Sequence, residues 1–411
     1  MSVLLAMLLA STCVPTCALA DVRSTDEIAG RSVSERALTA SQAPDVDARY
    51  GEVMTSDGTV LWSRDPEQSS SIASTTKIMT AVVALENADP NTQVTISENA
   101  AGVQESSAGL VAGQTTTLHD LLCGMLVVSG NDAATAIAEC VGGDVDTFVQ
   151  MMNDKAAEIG MTNTHFENPH GLEQGDHHSC AHDMALLAQY AMRKQDFRDI
   201  VGNPSVTVDL GAGPVTLTST DEILGTYSGL IGIKTGFTDE AGYCFVGACN
   251  RDGLEVYTVV LGASSESGRF SSTESLLDWT YQHYQKISLS DGVSVVANVP
   301  AVSWNDRTVA ARCETSKTAY ALDYDGQLSQ SISLVNKKGT IRAGDTLGTV
   351  TWTQKGKQLG SVTLVANEDC PGPNILQRAG IWFHRTFGGA KAADLEVVKD
   401  APTIKTYPNN L

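Results

Sequence analysis

Hydrophobic periodicity changes character once along this chain, near residue 286, and that change most constrains what it can fold into. Before it, apolar residues recur at helical spacing around 117–128, 132–141, 145–159 and 183–193, and residues 78–85 are apolar almost throughout, as in a helix buried on most sides. Strand-like runs flank this block. Residues 50–54 and 59–62 surround Thr55-Ser56-Asp57-Gly58, and residues 244–248 and 255–262 surround Asn250-Arg251-Asp252-Gly253, two hairpin signals. Residues 231–235 read as a further strand, and Leu277, Tyr281 and Tyr284 lie on one face of a helix over 271–285. Beyond that point, short β-branched runs at 293–296, 332–335, 348–352 and 362–365 alternate with Gly-containing turns, the pattern of a small all-β domain.

The chain has 411 residues, long for one core, since single cores seldom grow past roughly 250 residues. The expected organisation is a mixed α/β domain over 49–286 and a small β-sandwich over 287–373. A flexible segment is expected over 21–48, an amphipathic helix over 374–388 and a disordered tail over 389–411. Residues 1–20 carry no charge and close on Ala18-Leu19-Ala20 before Asp21, which reads as a cleaved export signal, although no Lys or Arg precedes its apolar run.

Charge narrows the partners. With 48 Asp plus Glu against 27 Lys plus Arg, the net charge is −21, which argues against nucleic acid, whose phosphates need clustered cations. The imbalance is regional: residues 21–286 hold 37 acidic and 14 basic groups, while 287–373 hold eight of each. Nine cysteines are present, two of them (Cys13 and Cys17) in the expected leader, and no C-x-x-C pair occurs. The remaining seven leave at least one thiol without an intramolecular partner. Cys313 and Cys370 are the expected disulfide; Cys123 and Cys140 are either a second pair or two small buried apolar residues.

Three short motifs carry chemistry. Ser74-Thr75-Thr76-Lys77 puts a serine and a lysine three apart at a helix start, on one face, where a lysine of depressed pKa can take the hydroxyl proton. Taken alone, such a spacing marks most often an exposed helix start. Ser129-Gly130-Asn131 sits between two helical patterns, and Lys234-Thr235-Gly236 ends an apolar strand. In this order and in these elements, the three resemble the penicillin-recognising active-serine set.

The chain resembles the low-molecular-mass penicillin-binding proteins that act as D-alanyl-D-alanine carboxypeptidases. The likeness extends to Ile72–Thr80, to Ser129-Gly130-Asn131-Asp132-Ala133-Ala134, to Phe166-Glu167-Asn168-Pro169-His170-Gly171-Leu172, to Gly232–Thr238 and to Ala241-Gly242-Tyr243-Cys244. It covers roughly residues 45–285, and more loosely the β domain to about 370. It implies an α/β fold of the penicillin-binding transpeptidase and β-lactamase type: an antiparallel sheet flanked by helices, an all-helical lobe, and then a small all-β domain. It implies Ser74 as nucleophile, Lys77 as general base and Ser129 as proton relay to the leaving group. Asn131 would hold the substrate amide and orient Lys77, and Lys234 would supply positive charge. Thr235 and Gly236 would line the edge strand, the N–H groups of Ser74 and Phe237 would form the oxyanion hole, and Arg269 would bind the terminal carboxylate. The implied partners are peptidoglycan stem peptides ending in D-Ala-D-Ala and β-lactams, with no metal and no other cofactor. The implied place is the extracytoplasmic envelope, with 374–388 as a peripheral membrane anchor; the alternative for that helix is packing on the β domain.

Other readings stay in view. A β-lactamase of the type with an E-x-x-L-N loop is disfavoured because nothing between Asn131 and Lys234 matches it, and Glu167 lies in a loop that the family treats as structural. A D,D-endopeptidase shares the acyl-enzyme. His165, His170, His177, His178 and His182 crowd together with Cys180 and Asp183, a possible metal tract without evenly spaced ligands, and the local pattern instead suggests a helix start capped by Ser179. A non-catalytic wall-binding protein would be expected to lose Ser74, Lys77 or Lys234. Upstream of Lys234, the family's Asn-rich polar stretch is replaced by Thr218-Ser219-Thr220-Asp221, which leaves substrate preference open.

Overall fold

In the computed structural model the described residues are 22–407, so the expected signal at 1–20 lies outside them. Two compact units meet in sequence between Trp279 and Thr280. The expected boundary at 286 instead falls inside the strand Tyr284–Asp291, which pairs with Ser316–Leu322 of the second unit.

The first unit is built on a seven-stranded antiparallel sheet. Its order is Arg31–Ser32, Glu27–Ile28, Val60–Arg64, Tyr50–Thr55, Leu254–Ala263, Gly242–Arg251 and Leu230–Thr238. Leu254–Ala263 and Gly242–Arg251 are interior strands, buried along nearly continuous runs, which is why they read as apolar stretches and not as alternation. Leu230–Thr238 closes the sheet and leaves one side of its backbone unpaired.

A helical lobe completes this unit: Lys77–Asn87, Leu118–Val127, Asn131–Gly142, Val145–Ile159, Ala181–Ala191 and Gln195–Val201. Local chemistry sets the ends. Thr117 caps the second helix through the Asp120 N–H, Asp144 caps the fourth through the Thr147 N–H, and left-handed Gly160 ends the fourth. The cap of Ala181–Ala191 is Cys180, whose Sγ accepts from the Asp183 N–H, and not Ser179 as its residue type suggests. Ser179 pairs its backbone with Ser70 and its hydroxyl with Thr164, so it is already committed one residue upstream.

The segment 21–48 was expected to be flexible, but its described part is ordered. Ile28 and Val46 are fully buried, and Arg64 grips Asp26 with two 2.7 Å hydrogen bonds while donating to the Val46 and Ala48 carbonyls. A handful of apolar residues and one long-range ion pair suffice to order a segment that looks polar in sequence. The last helix of the sheet layer runs Glu266–His283, starting before the expected 271 because Arg269 and Phe270 are already buried.

The second unit has a six-stranded sheet, ordered Leu328–Leu334, Thr346–Gln354, Lys357–Ala366, Thr308–Cys313, Val295–Pro300 and Glu396–Val397. With the pair Tyr284–Asp291 and Ser316–Leu322 it encloses one core around Leu289, Ala321, Val350, Trp352 and Leu364. Helix Ile375–Phe387 begins with a capping box between Asn374 and Gln377. Its Arg385 is tied to Asn305 and to the Val302 and Trp304 carbonyls, yet none of the helix residues is buried.

The tail over 389–411 departs from the expected disorder through residue 407. Glu396–Val397 extends the sheet, Ile404 exchanges two hydrogen bonds with the Gln327 side chain, and Tyr407 packs on His283 and Tyr324. The polar composition concealed this because backbone pairing and one aromatic anchor hold it. The expected Cys313–Cys370 disulfide is absent: all seven cysteines among the described residues are free thiols, and Cys123 and Cys140 are unbridged too.

Candidate active site

Ser74 sits in a single 3-10 turn, Ala73–Thr76, that feeds helix Lys77–Asn87. Ala73 is held at φ 48°, a conformation that costs a non-glycine residue about 1 kcal/mol or more and persists only where its surroundings dictate it. Two glycines supply those surroundings. A Cβ at Gly171 would lie 1.9 Å from the Ala73 carbonyl oxygen, and one at Gly236 would lie 3.1 Å from the Ser74 nitrogen. The turn is thus clamped between the Phe166–Leu172 loop and the edge strand.

Lys77 is fully buried on the same helical face. Its Nζ lies 2.7 Å from Ser74 Oγ, 2.8 Å from Asn131 Oδ1 and 2.9 Å from the His170 carbonyl oxygen. Asn131 Oδ1 and the His170 carbonyl can only accept, so they absorb two N–H donors. A neutral amine then has one lone pair left, and the remaining neighbour is a hydroxyl able to donate into it. Burial, and then the charge of Lys234, hold Lys77 well below the ordinary lysine range.

Asn131 is itself fixed, its amide donating to the Gln104 carbonyl and its backbone N–H to the Ser106 carbonyl. Its neighbour Asp132 gathers the loop above: the Ser107 hydroxyl and the N–H groups of Ala108, Gly109 and Leu110 all donate to this buried carboxylate. Ser129, also buried, is held at φ 64° at the start of the same motif.

Lys234 is buried on the edge strand, where its Nζ donates to the Thr235 carbonyl. Burial, and then the Arg269 charge, bring it down to about 7, while Asp221 opposes the fall. The Thr235 hydroxyl meets that of Thr220 at 2.6 Å. Arg269 reaches the Gly236 carbonyl at 3.3 Å and Glu266 at 2.9 Å, and lies against the rings of Tyr243 and Phe270. Phe237 is 47% exposed, with its ring against that of Tyr243, 4.3 Å between centroids.

Of the residues singled out from sequence, Ser74, Lys77 and Asn131 are in direct hydrogen-bonded contact. Gly236 packs on the Ser74 turn, Arg269 is bonded to Gly236, and Lys234 acts on Lys77 through its charge. The histidine tract does other work. His177 accepts from the Glu167 N–H at Nδ1, so its Nε2–H donates to the Thr76 hydroxyl at 2.9 Å. His182 pairs with Glu52, and His165 with Glu167. Burial and the neighbouring Lys77 push His170 down to about 3, and burial pushes His177 down to about 4, so both rings are neutral. Among the described residues no group of three or more His, Cys, Asp or Glu is disposed to hold a metal. Sequence reasoning missed Asp132, His177 and the His170 carbonyl as supports of the site; only Asp132, adjoining Ser129-Gly130-Asn131, carried a local signal.

A serine in a strained turn, a buried lysine bonded to its hydroxyl, and a further lysine on an open sheet edge are the arrangement of an active-serine acyl-transfer enzyme. Comparison with known proteins narrows the class. A family described as D-alanyl-D-alanine carboxypeptidase matches residues 37–265. The chain is 29% identical over 372 residues to D-alanyl-D-alanine carboxypeptidase DacF of Bacillus subtilis, covering 87% of this chain and 92% of that one. The crystal structure of D-alanyl-D-alanine carboxypeptidase DacD from Francisella tularensis superposes with a TM-score of 0.61 at 28% identity, covering 80% of this chain and 95% of that one. The Streptomyces K15 DD-transpeptidase structure superposes with a TM-score of 0.55 at 33% identity, over 57% and 97% of the two chains. The chain belongs to this family of serine-type D-alanyl-D-alanine carboxypeptidases.

Proposed function

We propose that the protein removes the terminal D-alanine from peptidoglycan stem peptides through an ester on Ser74. The observation that carries this reading is the three-way contact of Lys77 Nζ, which suits an amine that donates twice and accepts the Ser74 proton. In this reading Lys77 takes the hydroxyl proton as Oγ attacks the carbonyl carbon of the penultimate D-alanine. The N–H groups of Ser74 and Phe237 stabilise the developing oxyanion, each such donor being worth ~10²–10³ in rate. Ser129 passes the proton to the departing D-alanine nitrogen, and Asn131 holds the substrate amide while orienting Lys77. The substrate backbone lies along Thr235 and Gly236, and Lys234 with Arg269 receives the free carboxylate. Lys77 then activates the water that hydrolyses the ester. β-Lactams enter the same route and stop at the acyl-enzyme.

The extracytoplasmic setting follows from the peptidoglycan substrate, with residues 1–20 as the export signal. Among the described residues no helix is long and apolar enough to cross a membrane. Helix Ile375–Phe387 instead presents Ile375, Leu376, Trp382, Phe383 and Phe387 to solvent, which supports peripheral contact with a lipid surface.

The direct test incubates the protein with a D-Ala-D-Ala-terminated pentapeptide and with a cross-linked dimer, reading the cleaved bond by mass. Loss of one D-alanine from the pentapeptide, blocked by penicillin, is the expected result; cleavage of the dimer alone would make it an endopeptidase.

A further inference from the structure

The proposed carboxylate site contains an anion of its own. Asp221 is only 7% exposed, in the loop before the edge strand. Its Oδ1 accepts from the Ile223 and Leu224 N–H groups at 3.1 and 3.2 Å, while its Oδ2 is buried without a hydrogen-bond partner. The neighbouring Thr220 anchors the loop at both ends of the site: its N–H donates to the Val127 carbonyl beside Ser129, and its hydroxyl meets Thr235. Arg269 likewise keeps a buried Nε without a partner. Buried polar atoms are nearly always paired, so two orphans around one cationic cluster call for an explanation.

The charges around Asp221 can be named element by element. Lys234 comes from the edge strand and Arg269 from helix Glu266–His283, and both act on the Asp221 carboxyl. Lys77, from the nucleophile helix, feels Lys234. Glu266, Glu222, Tyr243 and Cys244 surround Arg269. An acid buried here has two opposite effects. It repels an incoming carboxylate, and it stabilises the charged form of Lys234, whose Nζ has one carbonyl acceptor and a cationic neighbour in Arg269. The second effect decides, because a buried lysine stripped of its counter-charge sheds its proton and offers the substrate no charge at all.

We propose that Asp221 is a positioning residue for the substrate carboxylate: it keeps Lys234 protonated beside Arg269, and so sets the upper pH at which the site accepts an anionic peptide terminus. This rests on the reading of Lys234 as a carboxylate-binding group. Burial holds the Asp221 carboxyl up at about 6 and Lys234 down at about 7, so the two titrate close to the working range. Below that range Lys234 is charged with or without Asp221. Around 7, where Lys234 gives up its proton, its charge depends on the carboxylate.

The test is the pH profile of kcat/KM for a D-Ala-D-Ala-terminated peptide in the intact protein and in Asp221→Asn, which preserves shape and the two backbone hydrogen bonds. The expected result is a basic limb displaced to lower pH by about one unit, the smaller end of what a single opposite charge does to a neighbour. Rates on the acidic side should differ by less than about threefold, and Asp221→Glu should restore part of the shift. Superimposed profiles, or a limb moved to higher pH, overturn the proposal. A uniform loss at every pH, with penicillin labelling of Ser74 lost in parallel, also overturns it by reducing Asp221 to a structural part. Failure of the functional reading is separate, since the unmodified protein would then release no D-alanine at any pH.

Discussion

The first unit buries Lys77, Lys234, Arg269, Asp132 and Asp221 in the region of the Ser74 turn, while among the described residues of the second unit the buried acidic and basic side chains are Asp323 and His283, bonded to each other at 2.9 Å. Desolvating a charge costs several kcal/mol unless partners replace the lost water. His283 and Asp323 are so replaced, as are Arg64 and Asp26 in the first unit, and such pairs hold structure together. The cluster around Lys234 is different in kind. Its cations crowd one another, and Asp221 Oδ2 and Arg269 Nε have no protein partner. The contrast separates charge buried for cohesion from charge buried for a ligand, and variants can test the separation.

The largest effect belongs to Ser74→Ala. Turnover should fall by roughly 10⁴–10⁶ and covalent labelling by fluorescent penicillin should vanish, while the thermal midpoint stays put. Persistent labelling would move the nucleophile elsewhere. Next, Lys77→Met should slow acylation by about 10²–10⁴, the span of a general base. In the proposed mechanism the active species is neutral Lys77. Because its folded pKa is depressed, the acylation rate constant at saturating peptide should rise with pH through that lowered value, far below ordinary lysine titration, and then level off, the Lys234 limb entering kcat/KM alone. An acylation rate that keeps climbing to pH 10 would contradict this.

Among cohesive charges, Asp26→Ala strands the buried Arg64 and should cost about 3–5 kcal/mol in urea unfolding, with labelling of the surviving folded protein unchanged. A loss confined to labelling would put this pair in the wrong category. Smallest for catalysis is Trp382→Glu combined with Phe383→Glu on the exposed helix. Stability should move by less than about 0.5 kcal/mol and kcat/KM should hold. Flotation with anionic lipid vesicles should be lost; if it survives, the helix is not the membrane contact.

What sequence could show follows the range of the interactions involved. Lys77 lies three residues from Ser74 on one helical face, and helix Val145–Ile159 carries its own cap and left-handed stop, so these features are local and readable. Asn131 meets Lys77 across 54 residues and was recovered only through motif resemblance. His177 meeting Thr76 across 101 residues left no local trace. The same holds for Asp26, 38 residues from Arg64, and for Tyr407 against His283: both sit in segments whose polar composition implied disorder, and both are ordered by one distant partner. Cys180 took the capping role expected of Ser179 because tertiary pairing had already claimed the serine.

The free thiols have a practical consequence. Six of the seven are buried, and burial pushes Cys123 and Cys180 up to about 12 and Cys244 up to about 11. Reaction with maleimides needs an accessible thiolate, which these positions withhold. A cysteine introduced at exposed Trp382 or Val293 would therefore react well ahead of the native ones. Among the described cysteines, half-buried Cys140 alone would need replacing before single-site fluorophore or spin labelling. A probe at residue 382 read against one at residue 293 would report, in real time, which surface meets a lipid vesicle.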